Sequence, residues 1–170
     1  MGHPVNGLYH DKEYGFPISN ASELFERLVL EIFQAGLSWL IVLRKRQDLK
    51  NAFANFNVDL VAKFDDKDVE RLAADKSIIR NRKKINATIE NARKLIELRE
   101  SHGCFAAWIH AHHPLTKDKW VKLFKKNFKF IGSEIVGEFL ISIGYLPGAH
   151  APECPIYQII EDVKPAWKTS

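Results

Sequence analysis

The run from Leu24 to Trp39 constrains the fold more than any other stretch. Leu24, Leu28, Ile32 and Ala35 recur at three- and four-residue spacing, which gives a helix one apolar face. Gly36 then offers a left-handed stop, and Ser38 an N-cap for a second helix opening at Trp39. The stretch reads as a helical hairpin. Glu31 lies seven residues after Leu24 and three after Leu28, so a carboxylate sits on or beside the apolar stripe. From the residues alone two readings of Glu31 stay open. In one it meets an arginine in a structural ion pair and Trp39 is core. In the other Glu31, the Gln34 amide one turn on and the Trp39 indole build a recognition pocket.

Helical periodicity recurs along the chain and strand-like alternation does not, which predicts an all-α protein. Asn20 followed by Glu23 resembles a capping box and opens a helix over 21–35. A second helix is expected over 39–53, with Leu40, Leu43, Leu49 and Phe53 facing inward and Arg44 to Arg46 crossing the exposed side. Short helices over 58–62 and 66–74 are each opened by Asn or Asp. Ile78, Ile79, Arg82, Ile85, Ile89, Ala92 and Ile96 mark a longer helix, entered through a basic turn and ended by Gly103. Further helices are expected over 105–111, from the Thr116 cap to Lys126, and along the stripe Ile135, Val136, Phe139, Leu140 and Ile143, ended by Gly144. Residues 1–19 and 145–170 lack periodicity and read as irregular chain packed on one helical domain. Tyr9, Tyr14 and Phe16 are costly to leave in water.

A chain of 170 residues can bury a proper core. Two cysteines, Cys104 and Cys154, are too few for a disulfide scaffold and point to a reducing cytoplasm. No apolar run reaches the length of a membrane span, and no secretory h-region is visible. The net charge of +4 is modest, but its distribution is uneven. Basic clusters occur at Arg44 to Arg46, at Arg80, Arg82, Lys83 and Lys84, and at Lys117, Lys119, Lys122, Lys125, Lys126 and Lys129. They are either ordinary solvated faces or a surface for a polyanion. The crossing from Asn127 to Ser133 adds a mechanism. A turn closed by Gly132 would leave the N–H groups of Ser133, Glu134 and Ile135 pointing outward, with the helix dipole behind them and Lys126 and Lys129 nearby. Such a turn can grip a phosphate without reading bases.

Four segments together resemble one family. Tyr9-His10-Asp11-Lys12-Glu13-Tyr14-Gly15 is similar to its YHDxEWG motif, and Leu30 to Arg46 to LExxQAGLSWxxxLxKR. Ile78 to Ile85 is similar to IIRxRxKI, and Phe128 to Gly132 to FKFVG. The family is the bacterial 3-methyladenine DNA glycosylase I type, a branch of the helix-hairpin-helix glycosylases. The resemblance implies a two-lobed helical fold with a base pocket between the lobes. It implies a monomeric base-excision-repair enzyme acting on double-stranded DNA with alkylated bases. Free 3-methyladenine would be the product, and an abasic site would remain. By position Glu31 would be the catalytic carboxylate and Tyr9, Tyr14, Gln34 and Trp39 the base-binding residues. Leu37 would plug the gap left by the extruded nucleotide. Gly132, Ser133, Lys126 and Lys129 would hold the DNA backbone. These roles make chemical sense. A base must leave the stack to be excised, and methylation at N3 makes it cationic, which suits a carboxylate among aromatic faces.

The resemblance also implies a structural zinc bound by two Cys and two His. His10, His150 and Cys154 match three ligands, and upstream of Tyr9 only His3 has ligand chemistry. Three ligands and a water would make an open zinc site; alternatively the three are ordinary polar residues. Other departures bear on substrate choice. Tyr14 stands where the family has Trp, Lys83 where it has Gly, and Gly137 where it commonly has Tyr, which is expected to enlarge the space that ring filled. Two alternatives follow: altered alkyl-purine specificity, or a catalytically silent module that binds damaged DNA. Glu31, Gln34 and Trp39 favour an enzyme, since a mere binder has little need of that acid in an apolar face. Cys104 is expected to be buried, and His102, His110, His112 and His113 to lie on the surface or in loops.

Overall fold

The computed structural model describes residues 4–169. Among the described residues the regular elements are all helical. In chain order they are α1 (Pro4–Lys12), α2 (Ala21–Gln34), α3 (Trp39–Arg44), α4 (Arg46–Ala52), α5 (Val58–Val61) and α6 (Asp66–Ala74). There follow α7 (Arg82–His102), α8 (Phe105–His112), α9 (Lys117–Asn127), α10 (Ser133–Ser142) and α11 (Tyr157–Asp162). Single 3₁₀ turns occupy Ala54–Phe56 and Ala166–Lys168. No helix among the described residues is long and apolar enough to cross a membrane.

The hairpin of α2 and α3 organises the rest. Every residue of α2 from Leu24 to Phe33 is buried, so this helix needs neighbours on all sides. It finds them in α3, α5, α7, α8 and α10. The long α7 carries α5, α6 and α8, and α10 carries α9; α8 joins the two groups, with Phe105 stacked on Phe139 and Trp108 edge-on to Phe124. One apolar cluster runs through both groups, from Leu24 and Phe25 to Phe139 and Ile143.

The caps expected at Asn20, at the starts of α5 and α6, and at Thr116 form, Asn81 adds another, and the capping box expected at Asn20 and Glu23 forms only its Asn20 half. The side chains of Asn20, Asn57, Asn81 and Thr116 each accept a hydrogen bond from the backbone N–H three residues on. Asp65 and Asp68 make a reciprocal capping box at α6. Gly36 stops the first helix of the hairpin with φ +81°. Ser38 occupies the N-cap position of α3, although its hydroxyl makes no capping bond.

Four expectations are corrected. The helix expected over 39–53 is broken at Lys45, and the break turns Arg46 inward to Glu13 and Glu26 and not across the exposed side. The segment expected to be irregular at the N-terminus contains α1. Only Tyr9 of that helix is buried, so it has no stripe for periodicity to reveal. The C-terminal tail likewise holds α11, which buries only Ile160. Tail and N-terminal segment meet at Gly15. Its φ of +89° suits glycine, and a Cβ there would lie 2.7 Å from the Ala149 Cβ. Cys104 is half-buried and not fully so; its Sγ caps α8 by accepting from the Ala107 N–H.

Candidate active site

A cavity of about 600 Å³ opens where α1, α2, α3 and α10 meet. Tyr9, Tyr14, Gln34 and Trp39, widely separated in sequence, line it together with Glu31. The Tyr9 ring centroid is 5.1 Å from that of Trp39 and 5.9 Å from that of Tyr14, so three aromatic faces adjoin. Glu31 is 4 % exposed and makes no hydrogen bond or ion pair among the described residues. Burial, reinforced by the charge of Glu138 and opposed by Arg27, pushes its carboxyl pKa up to about 8. Of the two readings open for Glu31, the ion pair does not form.

The nearby arginine is engaged elsewhere. Arg27, one turn before Glu31 on α2, donates to the Glu13 carboxylate (3.2 Å), the Glu13 carbonyl (3.4 Å) and the Ser142 carbonyl (3.2 Å). Its guanidinium lies 4.9 Å from the Tyr9 ring centroid. Glu13 also accepts from Arg46 at 2.8 Å, and Arg46 reaches Glu26 at 2.7 Å. Burial raises the Glu13 pKa, but Arg46 and Arg27 outweigh it and hold that carboxyl below its usual range. This network bolts α1, and with it Tyr9, against α2. Gln34 has a second duty: its Nε2 donates to the Leu37 carbonyl at 2.9 Å and braces the hairpin tip.

His10, His150 and Cys154 converge, with their ligand atoms all within 4.8 Å of one another. Cys154 Sγ is 3.5 Å from His150 Nδ1 and 3.9 Å from His10 Nε2. Bond lengths to tetrahedral zinc would separate a nitrogen from a sulfur by roughly 3.6 Å. The ring orientations also fit. His150 Nε2 lies 2.8 Å from the Tyr14 carbonyl, which can only accept, so that nitrogen is the donor and Nδ1 is left as a ligand. The Asp11 carboxylate, 2.7 Å from His10 Nδ1, leaves Nε2 free in the same way. The donor set therefore fits a zinc ion. His3, the remaining candidate ligand, lies outside the described residues.

The turn expected to hold a phosphate differs in form from expectation. Phe130, at φ +56°, makes the left-handed turn, whereas Gly132 is extended at φ −123°, a conformation open to any residue. A Cβ on Gly132 would meet nothing within 4 Å, and no side chain caps α10. Its first N–H groups thus carry no side-chain cap, and Ser133, Lys126 and Lys129 are exposed. Asn91, buried on α7, fixes the turn: it accepts from the Lys129 N–H at 2.7 Å and donates to the Lys129 carbonyl at 3.2 Å. The basic turn at Arg80 to Lys84 contributes less than its charge suggests. Arg82 is paired with Glu70, and Lys84 is buried, donating to the carbonyls of Phe33 and Ala35 at the end of α2.

The model for the methyladenine glycosylase family matches residues 2–122. DNA-3-methyladenine glycosylase 1 of Escherichia coli (strain K12) is 35 % identical over 173 residues, covering 91 % of this chain and 92 % of its own. The chain belongs to the methyladenine glycosylase family. The DNA-3-methyladenine glycosylase of Haemophilus influenzae (strain ATCC 51907 / DSM 11121 / KW20 / Rd) is 33 % identical over 166 residues, covering 86 % of this chain and 89 % of its own. A structure of the Staphylococcus aureus 3-methyladenine DNA glycosylase I, describing how that protein recognises 3-methyladenine, superposes with a TM-score of 0.84 at 29 % identity. That match covers 92 % of this chain and 93 % of the other.

In this methyladenine glycosylase several pocket residues escape a reading of the sequence. Asn6, Glu134 and Glu138 also line the cavity. Asn6 sits on α1, where no pattern singles it out, and its Oδ1 is buried without a partner among the described residues. Glu134 and Glu138 stand one turn apart on α10, off its apolar stripe, which is a readable signal. Gly137 does not widen the pocket. A Cβ there would lie 2.8 Å from Lys117 Cε, so the missing ring's place is taken by the Lys117 stem. The remaining histidines show no metal-holding arrangement among the described residues; His112 and His113 are half-buried and lie beside backbone carbonyls.

Proposed function

We propose that this chain excises 3-methyladenine from alkylated double-stranded DNA by hydrolysis of the N-glycosidic bond, leaving an abasic site. The observation that carries this reading is a buried Glu31, unpaired among the described residues, in a cavity roomy enough for a purine and walled by Tyr9, Tyr14 and Trp39. A base methylated at N3 enters as a cation. It stacks on the aromatic faces and offers Glu31 the positive charge that the empty pocket lacks. Glu31 is largely protonated at neutral pH in the empty pocket, so its proton passes to solvent as the cation docks. Cleavage neutralises the base, so the leaving group needs no strong acid, and pocket charge supplies the stabilisation. Incubation with alkylated DNA should release free 3-methyladenine into the supernatant and leave the strands uncut; no released base would overturn the assignment.

Zinc, held by His10, His150 and Cys154, would tie α1 to the C-terminal segment. It would be structural, adding no chemistry to the cleavage. The DNA backbone would be held by Lys126, Lys129, Ser133 and the bare N-terminus of α10 past Gly132. Replacing both Lys126 and Lys129 by Ala should weaken binding to all duplexes alike and reduce the slope of log affinity against log salt by about 2. A slope unchanged in fluorescence-anisotropy titrations would remove these lysines from the interface.

Leu37 would fill the gap in the flipped-out stack. It is only half-buried at the tip between Gly36 and Ser38. Leu37→Ala should therefore cost well under ~1 kcal/mol of stability, bind undamaged DNA normally and excise more slowly. A loss of more than about 2 kcal/mol in a denaturant melt would mark it as a core leucine instead.

A further inference from the structure

The pocket is anionic in a protein of net charge +4. No Lys or Arg lines it, while Glu31, Glu134 and Glu138 do. The three carboxylates differ in their partners. Glu134 is highly exposed, and Lys117 Nζ approaches it at 3.7 Å. Glu31 is buried at the floor. Glu138 has a single partner among the described residues, the neutral Tyr14 hydroxyl, which donates to its Oε2 at 3.0 Å. Glu138 is itself exposed; the bond holds its carboxylate at the pocket wall, with no cation paired to it among the described residues. Its field reaches Glu31, where it disfavours ionisation. It also gives the Tyr14 hydroxyl, which the family's tryptophan would not carry, a specific task.

We propose that Glu138 is a specificity-determining residue, whose carboxylate, anchored by the Tyr14 hydroxyl, supplies the second negative charge by which this pocket selects a cationic alkylated purine over an uncharged one. The role rests on the excision activity proposed above. A neutral base gains nothing from two carboxylates and meets their mutual repulsion unrelieved. A cation relieves it, and the nearer the positive charge is to both oxygens, the larger the gain.

The experiment compares wild type, Glu138→Gln, Tyr14→Phe and the double variant at about pH 9, where Glu31 is mainly ionised throughout. One probe is duplex DNA carrying 3-methyladenine, read as kcat/KM for base release. The other is the same duplex carrying 3-deaza-3-methyladenine, an uncharged isostere, read as Kd. Glu138→Gln should lower kcat/KM on the cationic base by about tenfold and leave Kd for the isostere within about twofold. Tyr14→Phe should free the Glu138 carboxylate to swing away from the pocket and reproduce part of the loss. The double variant should be no worse than Glu138→Gln alone, because the two side chains act as one unit. Parallel losses on both probes would show a structural role, and an unchanged kcat/KM would show none; either overturns the proposal. Failure of wild type to release the base would overturn the activity and this role with it.

Discussion

Replacing Glu31 by Gln should lower base excision by roughly two to three orders of magnitude while leaving the protein folded. A unit charge about 4 Å from a cation in a partly desolvated site contributes up to about 4 kcal/mol, and each 1.4 kcal/mol is a factor of ten in rate. Gln keeps the shape and a carbonyl acceptor but removes that charge. The same substitution has a second, opposite signature in the empty protein. Burial first, and then Glu138, raise the Glu31 pKa from 4.5 to about 8. A group raised on folding stabilises the fold fully below its unfolded pKa and loses that contribution as pH rises through the folded one. Wild type should therefore lose stability, on the order of a few kcal/mol, between about pH 5 and pH 8. Glu31→Gln should not lose this part. Urea melts across that range provide the measurement. Parallel pH dependences would show that Glu31 is not held neutral in the empty pocket, and near-normal excision would remove it from the mechanism.

Periodicity and capping were sufficient to read the helical hairpin, α6 and α10, because each of these has an apolar stripe or a side-chain cap that acts locally. α1 and α11 were hidden for the converse reason. Each buries one hydrophobic residue, and the rest of their stability comes from contacts with distant chain. The break at Lys45 is of the same kind: it exists because Arg46 is drawn to Glu13 and Glu26, and no window of adjacent residues contains both carboxylates. Polar residues within a core stripe were a missed signal. Lys84, Thr88, Asn91 and Leu95 share the buried side of α7. Two of them do specific work there, Lys84 closing the end of α2 and Asn91 clasping the turn at Lys129. Basic charge in sequence thus overstates basic charge on the surface, as Lys84 and Arg82 show. At the pocket, motifs identified Glu31, Tyr9 and Trp39, whereas the pairing of Tyr14 with Glu138 spans 124 positions and is visible only in three dimensions.

Arg27 should prove the most costly single residue to truncate. Its side chain is 3 % exposed, and it satisfies a carboxylate and two backbone carbonyls while covering the Tyr9 ring. Arg27→Met fills much of the volume but leaves Glu13 with one cation fewer and takes one of two donors from each of the Glu13 and Ser142 carbonyls. Removing one partner from a buried charged network typically costs about 3–5 kcal/mol, because desolvated charge is left uncompensated. Arg27→Lys should fall between wild type and Met, since one ammonium cannot span acceptors that a planar guanidinium reaches together. The damage should be felt in the pocket as well. Tyr9 is held between Arg27 and Trp39, so loosening α1 displaces a wall of the cavity and slows excision even at temperatures where the protein stays folded. Arg82, whose pairing with Glu70 lies in solvent, is the control, and Arg82→Met should barely move the melt. Denaturant melts of the three variants separate these cases. A loss below about 1 kcal/mol for Arg27→Met would place the network among ordinary surface ion pairs, and the anchoring of the pocket would then have to come from the packing of α1 on α3 alone.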